Sequence, residues 1–202
     1  MLTVYSCYPI TKPIRSTEPA FEAEPLTVED AKRQCGVADG NDYRDADFRR
    51  WIVSARRQVE HDAEIVFYTG TFTWKLSRFP VADWLEIPLV RPVSSITSIT
   101  YPDNAGATQT WSSSEYTLKE AMSPVIELNY GFTWPAIREV VNGITVTLVA
   151  GHATVFAMPQ QYIDAVILKV RSHYLTSLGE DTKGDEMAYE SMIGLVGRWA
   201  AA

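Results

Sequence analysis

Arg91-Pro92-Val93-Ser94-Ser95-Ile96, Tyr130-Gly131-Phe132-Thr133-Trp134-Pro135 and Ile144-Thr145-Val146-Thr147-Leu148 punctuate a stretch from Arg91 to Gly151 that reads as β structure, with helical patterns on both sides. In the last of these segments Ile144, Val146 and Leu148 alternate with threonines, the period of two that sets one face of a strand on a core. The same alternation begins earlier, with Phe72, Trp74 and Leu76 set against Thr71, Thr73 and Lys75. Leu85, Ile87 and Leu89 alternate likewise, and Pro88 and Pro92 make that strand an edge or a bend. Ile96 and Ile99 are three residues apart, so they cannot share one face of a regular strand; either a bulge intervenes or the strand is contacted on both sides. Asp103-Asn104-Ala105-Gly106 is a turn signal joining this strand to one near Gln109 and Trp111 as a hairpin. Tyr116 to Lys119 and Val125 to Tyr130 supply further strands, and the β-rich insertion spans 70–151.

The flanks carry helical spacing. Thr27 as N-cap, Asp30 three residues on and Gly36 as stop predict a helix over 27–36. Phe48, Trp51, Ile52, Ala55 and Val59 form one apolar face of a helix over 45–66. Arg49, Arg50, Arg56 and Arg57 fall on its flanks; Asp45 to Arg49 and Arg56 to Glu60 are spaced for helical ion pairs, which favours a solvated face over a phosphate-binding stripe. Tyr162, Ile163, Val166, Ile167 and Val170 mark a third helix over 159–178, with Pro159 tolerated in its first turn. An acidic loop from Gly179 to Gly184 precedes a last helix over 185–199. Pro9, Pro13, Pro19 and Pro25 exclude a continuous helix from residues 1–25 and predict an extended arm that needs a partner surface to become ordered. The fold class expected is α+β, a helical bundle from the N- and C-terminal segments with a β-rich insertion, residues 26–202 forming a single domain.

Composition narrows the function. The 202 residues carry a formal charge of −7, and acidic residues outnumber basic ones before, within and after the β-rich stretch. A protein that grips nucleic acid neutralises phosphates with a Lys/Arg patch, so tight DNA binding is disfavoured. Two cysteines make neither a disulfide framework nor a zinc cluster, and the expectation is a soluble protein made in a reducing cytoplasm. No apolar run reaches membrane-spanning length. Six Trp and ten Tyr suit surfaces that become buried when partners assemble.

A catalytic constellation is missing from the pattern. There is no phosphate-cradling Gly-rich loop and no Gly-x-Ser-x-Gly elbow. His61, His152 and His173 are far apart, with no cysteine at ligand spacing. Asp181, Asp185 and Glu186 lack the alternation of a calcium loop, and Cys35 reads as a small core residue. No catalytic residue, metal or cofactor is therefore expected.

Glu24-Pro25-Leu26-Thr27-Val28-Glu29-Asp30-Ala31-Lys32, the amphipathic helix after it and Thr71-Phe72-Thr73-Trp74-Lys75-Leu76-Ser77-Arg78-Phe79-Pro80 resemble the head-tail connector (adaptor) family of tailed bacteriophages and phage-derived gene transfer agents. The resemblance continues through Leu89 to Ile96, Ser114-Glu115-Tyr116, Tyr130 to Pro135 and Val146 to Gly151, and ends with the Pro159 helix. It implies a structural protein of the virion's head-tail junction: a homo-oligomeric, usually twelvefold ring beneath the portal protein. Such a ring extends the DNA channel and docks a tail or stopper protein, with no sequence-specific DNA binding and no membrane partner. Ile96, Ile99, Tyr101, Trp111, Phe132 and Trp134 are the expected interface residues, with Ile99→Asp expected to weaken ring assembly in a folded monomer. A small phage-encoded enzyme with an unrecognised site, or a monomeric binding or regulatory module, stays open beside this reading.

Overall fold

The structure, a computed structural model, describes residues 12–38, 40–88, 90–120, 123–154 and 157–199. It is α+β, with four α-helices, and its strands form two antiparallel sheets. The chain divides into two compact units, one of residues 1–16 with 70–150, the other of residues 17–69 with 151–202.

The first unit is built on strands. β1 (Ile14–Arg15), β2 (Gly70–Leu76), β4 (Val93–Pro102), β5 (Thr108–Thr110) and β8 (Ile144–Ala150) make a five-stranded sheet in the order β1-β2-β8-β4-β5. β3 (Trp84–Glu86), β6 (Tyr116–Lys119) and β7 (Val125–Leu128) make a three-stranded sheet in the order β3-β7-β6. Period two decides the core: Phe72 pairs with Leu148, Trp74 with Val146 and Leu76 with Ile144, and all six are buried. Leu89 lies outside the described residues, while Leu85 and Ile87 are buried as their alternation predicts.

β4 resolves the Ile96 and Ile99 conflict through a bulge. Register shifts fall between Val93 and Ser95 and between Ile96 and Ser98, so Ile96 pairs with Leu148 and Ile99 with Val146. One extra residue converts a spacing of three into two, and both isoleucines meet the same apolar face of β8. The predicted turn closes the β4-β5 hairpin. Asp103 Oδ1 accepts from the backbone N–H groups of Ala105 and Ala107, both at 2.9 Å, and Gly106 takes φ +88°.

The second unit is helical: α1 (Val28–Gln34), α2 (Asp45–Ala63), α3 (Gln160–Leu178) and α4 (Lys183–Trp199). Thr27 caps α1, its Oγ1 accepting from Asp30 N–H at 3.1 Å, and Gly36 at φ +70° ends the turn that follows. α2 stops three residues before the expected position 66. Glu64 adopts φ 55°, and the Ile65 N–H returns to the Glu60 carbonyl at 3.1 Å, turning the chain so that Ile65 and Phe67 enter the core. α4 begins two residues before position 185, where Asp181 Oδ1 accepts from Lys183 N–H at 3.0 Å. Phe48, Ile52, Ala55, Val59, Phe67, Ala165 and Val166 are fully buried in the core of this unit.

The predicted arm over 1–25 divides. Residues 1–11 lie outside the described ones; Ile14 and Arg15 add an edge strand to β2, and Phe21–Ala23 form one 3₁₀ turn of the helical unit.

Candidate interaction surfaces

In the β unit, three of the six expected interface residues gather on one ring, that of Phe79, with Trp111 buried and Tyr101 and Trp134 half-buried. Tyr101, Trp111 and Trp134 surround Phe79, with ring centroids 6.4, 5.7 and 4.9 Å from it, and Trp134 is nearly parallel to Phe79 at 13°. Trp111 is 4% exposed, its indole N–H donating to Glu115 at 2.7 Å; the Trp134 indole donates to the Ala82 carbonyl at 2.8 Å. Ile99 is fully buried and Ile96 half-buried, so Ile99→Asp would place a carboxylate in the unit's own core and cannot leave the monomer intact.

Phe132 alone of the six is exposed, and the structure adds neighbours that sequence pattern did not single out. Asn129-Tyr130-Gly131-Phe132 is a turn closed by Phe132 N–H to Asn129 carbonyl at 3.0 Å, with Gly131 at φ +85° and Tyr130 presented at its tip. Val81 and Trp84 are also exposed, beside Ala82 and Asp83, which accept from Trp134 and from Leu128 N–H. The turn glycine and Pro80 were the available signals, since apolar residues beside turn formers are displayed outward.

In the helical unit, Arg56 is the residue sequence spacing misplaced. It is 1% exposed: Nε meets both Glu24 oxygens at 2.9 and 3.1 Å, Nη1 meets Glu60 at 2.5 Å and Nη2 meets Glu18 at 3.3 Å. Burial opposes the charge, and the three carboxylates outweigh it and raise the guanidinium's pKa. The other Glu60 oxygen accepts from Phe67 N–H at 2.9 Å, so a single cluster fastens residues 18–24, α2 and the chain after it. The expected Asp45 to Arg49 pair is not made. Asp45 pairs with buried Lys32, and the Arg49 guanidinium lies 4.8 Å from the centroid of the Phe21 ring.

The outward side of α2 is an open groove of about 760 Å³. Phe21, Arg49, Arg50, Val53, Arg57 and His61 are among its lining residues. Three of its lining side chains are paired with carboxylates: Arg50 with Asp47 at 2.9 Å, Arg57 with Glu18 at 3.6 Å, and His61 with Asp62 at 3.0 Å.

α4 is held by polar contacts. Glu186 accepts from Lys169 and Ser172, both at 2.6 Å, and these bonds lower its carboxyl pKa. Tyr189, 4% exposed, donates to Asp62 at 2.6 Å. Partial burial alone would raise Asp62, but the hydrogen bonds from Tyr189, Gln58 and His61 outweigh it and hold the carboxyl below its ordinary value. Burial first, and then Asp62, drive the Tyr189 hydroxyl strongly upward. Leu178 and Met187 are exposed near the α3–α4 turn, as are Glu180, Asp181 and Glu190. Arg44 donates to Ser177 at 2.6 Å, which sets this turn beside the start of α2.

Among the described residues no group of three His, Cys, Asp or Glu side chains is placed to hold a metal ion, and no helix is long and apolar enough to cross a membrane. His152 is shifted down by burial; His173 is shifted down by burial and then by Lys169.

No protein-family model matches the chain, and no curated protein matches it. Solved structures do share its fold. A chain in the virion of a native gene transfer agent particle matches with a TM-score of 0.67 at 22% identity, over 81% of this chain and 84% of that one. A chain in the neck of an empty gene transfer agent particle, computed with C6 symmetry, matches with the same values. A chain in the neck of a native particle, computed with C12 symmetry, gives a TM-score of 0.63 at 20% identity over 81% and 83% of the two chains. The chain therefore has the α+β fold of a protein found in those particles.

Proposed function

We propose that this chain is a structural neck protein of a phage-like particle, a ring subunit that joins the DNA-filled head to the tail. The observation carrying this reading is the shared fold over 81% of the chain with chains in gene transfer agent necks computed with C6 and C12 symmetry. Since C6 is contained in C12, both accord with a twelve-subunit ring, seated below the portal protein and receiving a tail or stopper protein on its other side. The net charge of −7 supports a channel through which DNA slides without adhering. The exposed Phe132, with Tyr130, Trp84 and Val81 near it, is the surface of the β unit proposed to meet a neighbouring subunit or neck protein. Ile96, Tyr101 and Trp134, each half-buried, keep part of their surface available to such a neighbour, whereas Ile99 and Trp111 belong to the unit's own core.

Mixing the purified chain with portal rings and imaging the product by electron microscopy tests this reading. The expected result is an added ring of density on one face of the portal. Portals that stay bare at saturating concentrations of the chain would overturn it.

A further inference from the structure

The large apolar side chains that the β unit exposes gather toward one end of its five-stranded sheet. β2 and β8 pair from Gly70 opposite Ala150 to Leu76 opposite Ile144. The chain leaves β2 at Leu76 and enters β8 at Ile144, and Val81, Trp84, Tyr130, Phe132, Val140 and Val141 are exposed in the segments that lie beyond that end. Hydrogen bonds and one ring stack tie these segments together. Asn142 N–H donates to the Ser77 hydroxyl at 3.0 Å, the Trp134 indole and Leu128 N–H donate to the Ala82 and Asp83 carbonyls, and Phe79 stacks on Trp134. Exposed apolar area of this extent marks a surface that something covers. The exposed charges in the same segments balance, Arg78 and Arg138 against Asp83 and Glu139, so neither sign of charge is selected and apolar content decides what fits.

The chain delivers such an occupant to the same place. β1 runs antiparallel to β2, with Arg15 opposite Phe72 and Ile14 opposite Thr73. Each step toward the N-terminus therefore moves along β2 toward Leu76, so residues 1–11 are attached at the end where the apolar segments lie. These eleven residues include Leu2, Val4, Tyr5, Tyr8 and Ile10 and carry no Asp, Glu, Lys or Arg. Fully extended they reach roughly 36 Å, and so short a tether holds them beside their own β unit at an effective concentration on the order of millimolar. We infer that residues 1–11 lie over the exposed apolar segments of their own β unit. The extended arm expected from Pro9 and Pro13 then finds its partner surface within its own chain, and a neighbouring subunit meets Trp84 and Phe132 together with this segment. The contact is a property of the single chain and does not depend on the neck reading.

Cys7 provides the probe. With Cys35→Ala it is the only thiol of the chain, and a benzophenone maleimide attached to it bonds on illumination to the residues within its reach. Mass spectrometry of the digest should place the bond inside one chain, at residues 77–84, 129–134 or 137–142, with a yield that does not fall on dilution. A patch variant carrying Val81→Ser, Trp84→Ser and Tyr130→Ser should lower that yield about tenfold, because it removes the apolar area the segment covers. All three positions are exposed, and circular dichroism with a thermal melt verifies that the variant folds. In the unlabelled chain, chymotrypsin cleavage after Tyr5 should run about tenfold faster in the patch variant than in wild type, since cutting follows the uncovered population. Bonds to other parts of the chain, or equal yields and equal cleavage rates in the two forms, would overturn the inference. Bonds between chains that vanish on dilution would overturn it in favour of a second copy as the occupant. Bonds at the expected residues in a chain that leaves portal rings bare would uphold the inference and remove the neck reading.

Discussion

At Arg56 a charge that helical spacing assigns to the surface lies inside, because three glutamates from two segments converge on it. Arg56→Met removes the cation and leaves Glu24 buried without it, which should destabilise the helical unit by about 3–5 kcal/mol in urea unfolding. Spacing within α2 revealed only Glu60; Glu18 and Glu24 come from the preceding segment, and no local pattern links them to Arg56. Tyr189→Phe deletes the hydrogen bond to Asp62 and should cost about 1.5–3 kcal/mol, since the acceptor is charged. Asp62 and Glu186 both have lowered pKa values in the folded chain. They hold protons less tightly folded than unfolded, so their stabilising contribution is complete above the ordinary carboxyl range near pH 4 and is lost as acid carries the pH down through the lowered values. Unfolding free energy measured against pH should therefore fall on acidification, with a shallower slope in Tyr189→Phe.

Strand β4 shows what an element adds to its residues. Ile99 lies opposite Val146 with no exposure, so Ile99→Ala should cost about 2–4 kcal/mol by denaturant unfolding of the β unit. Phe132→Ala, at an exposed turn, should change that unfolding by less than about 0.5 kcal/mol. The alternation in β2 and β8, the Asp103 hairpin, the Thr27 cap and the apolar stripes of α2 and α3 were legible because each is encoded within a few neighbouring residues. The bulge was legible only as a conflict, two isoleucines three apart, since the partner strand determines which residue is set aside. The candidate surface was less legible still. Aromatic content does not say which rings will stack on one another, and Tyr101, Trp111 and Trp134 found Phe79, more than twenty residues before any of them.

For the whole molecule, the informative feature is where the chain leaves the helical unit and where it returns. Thr69 donates to the His152 carbonyl from its N–H at 3.1 Å and from its hydroxyl at 3.0 Å. A Cβ on Gly151 would lie 2.2 Å from the Tyr68 carbonyl oxygen, so the two passages run in direct contact. Joining Thr69 to Gly151 through a two- to four-residue Gly/Ser turn in place of 70–150 should leave a chain that melts cooperatively with helical circular dichroism, because closing so short a gap costs little. A broad, non-cooperative melt would show that the helices require the strands. Neighbouring ends also make residues 70–150 a cassette: recombination between related genomes can exchange that segment in one event, provided its first strand still accepts Ile14–Arg15 at its edge, and so equip an unchanged helical frame with a different set of contacts.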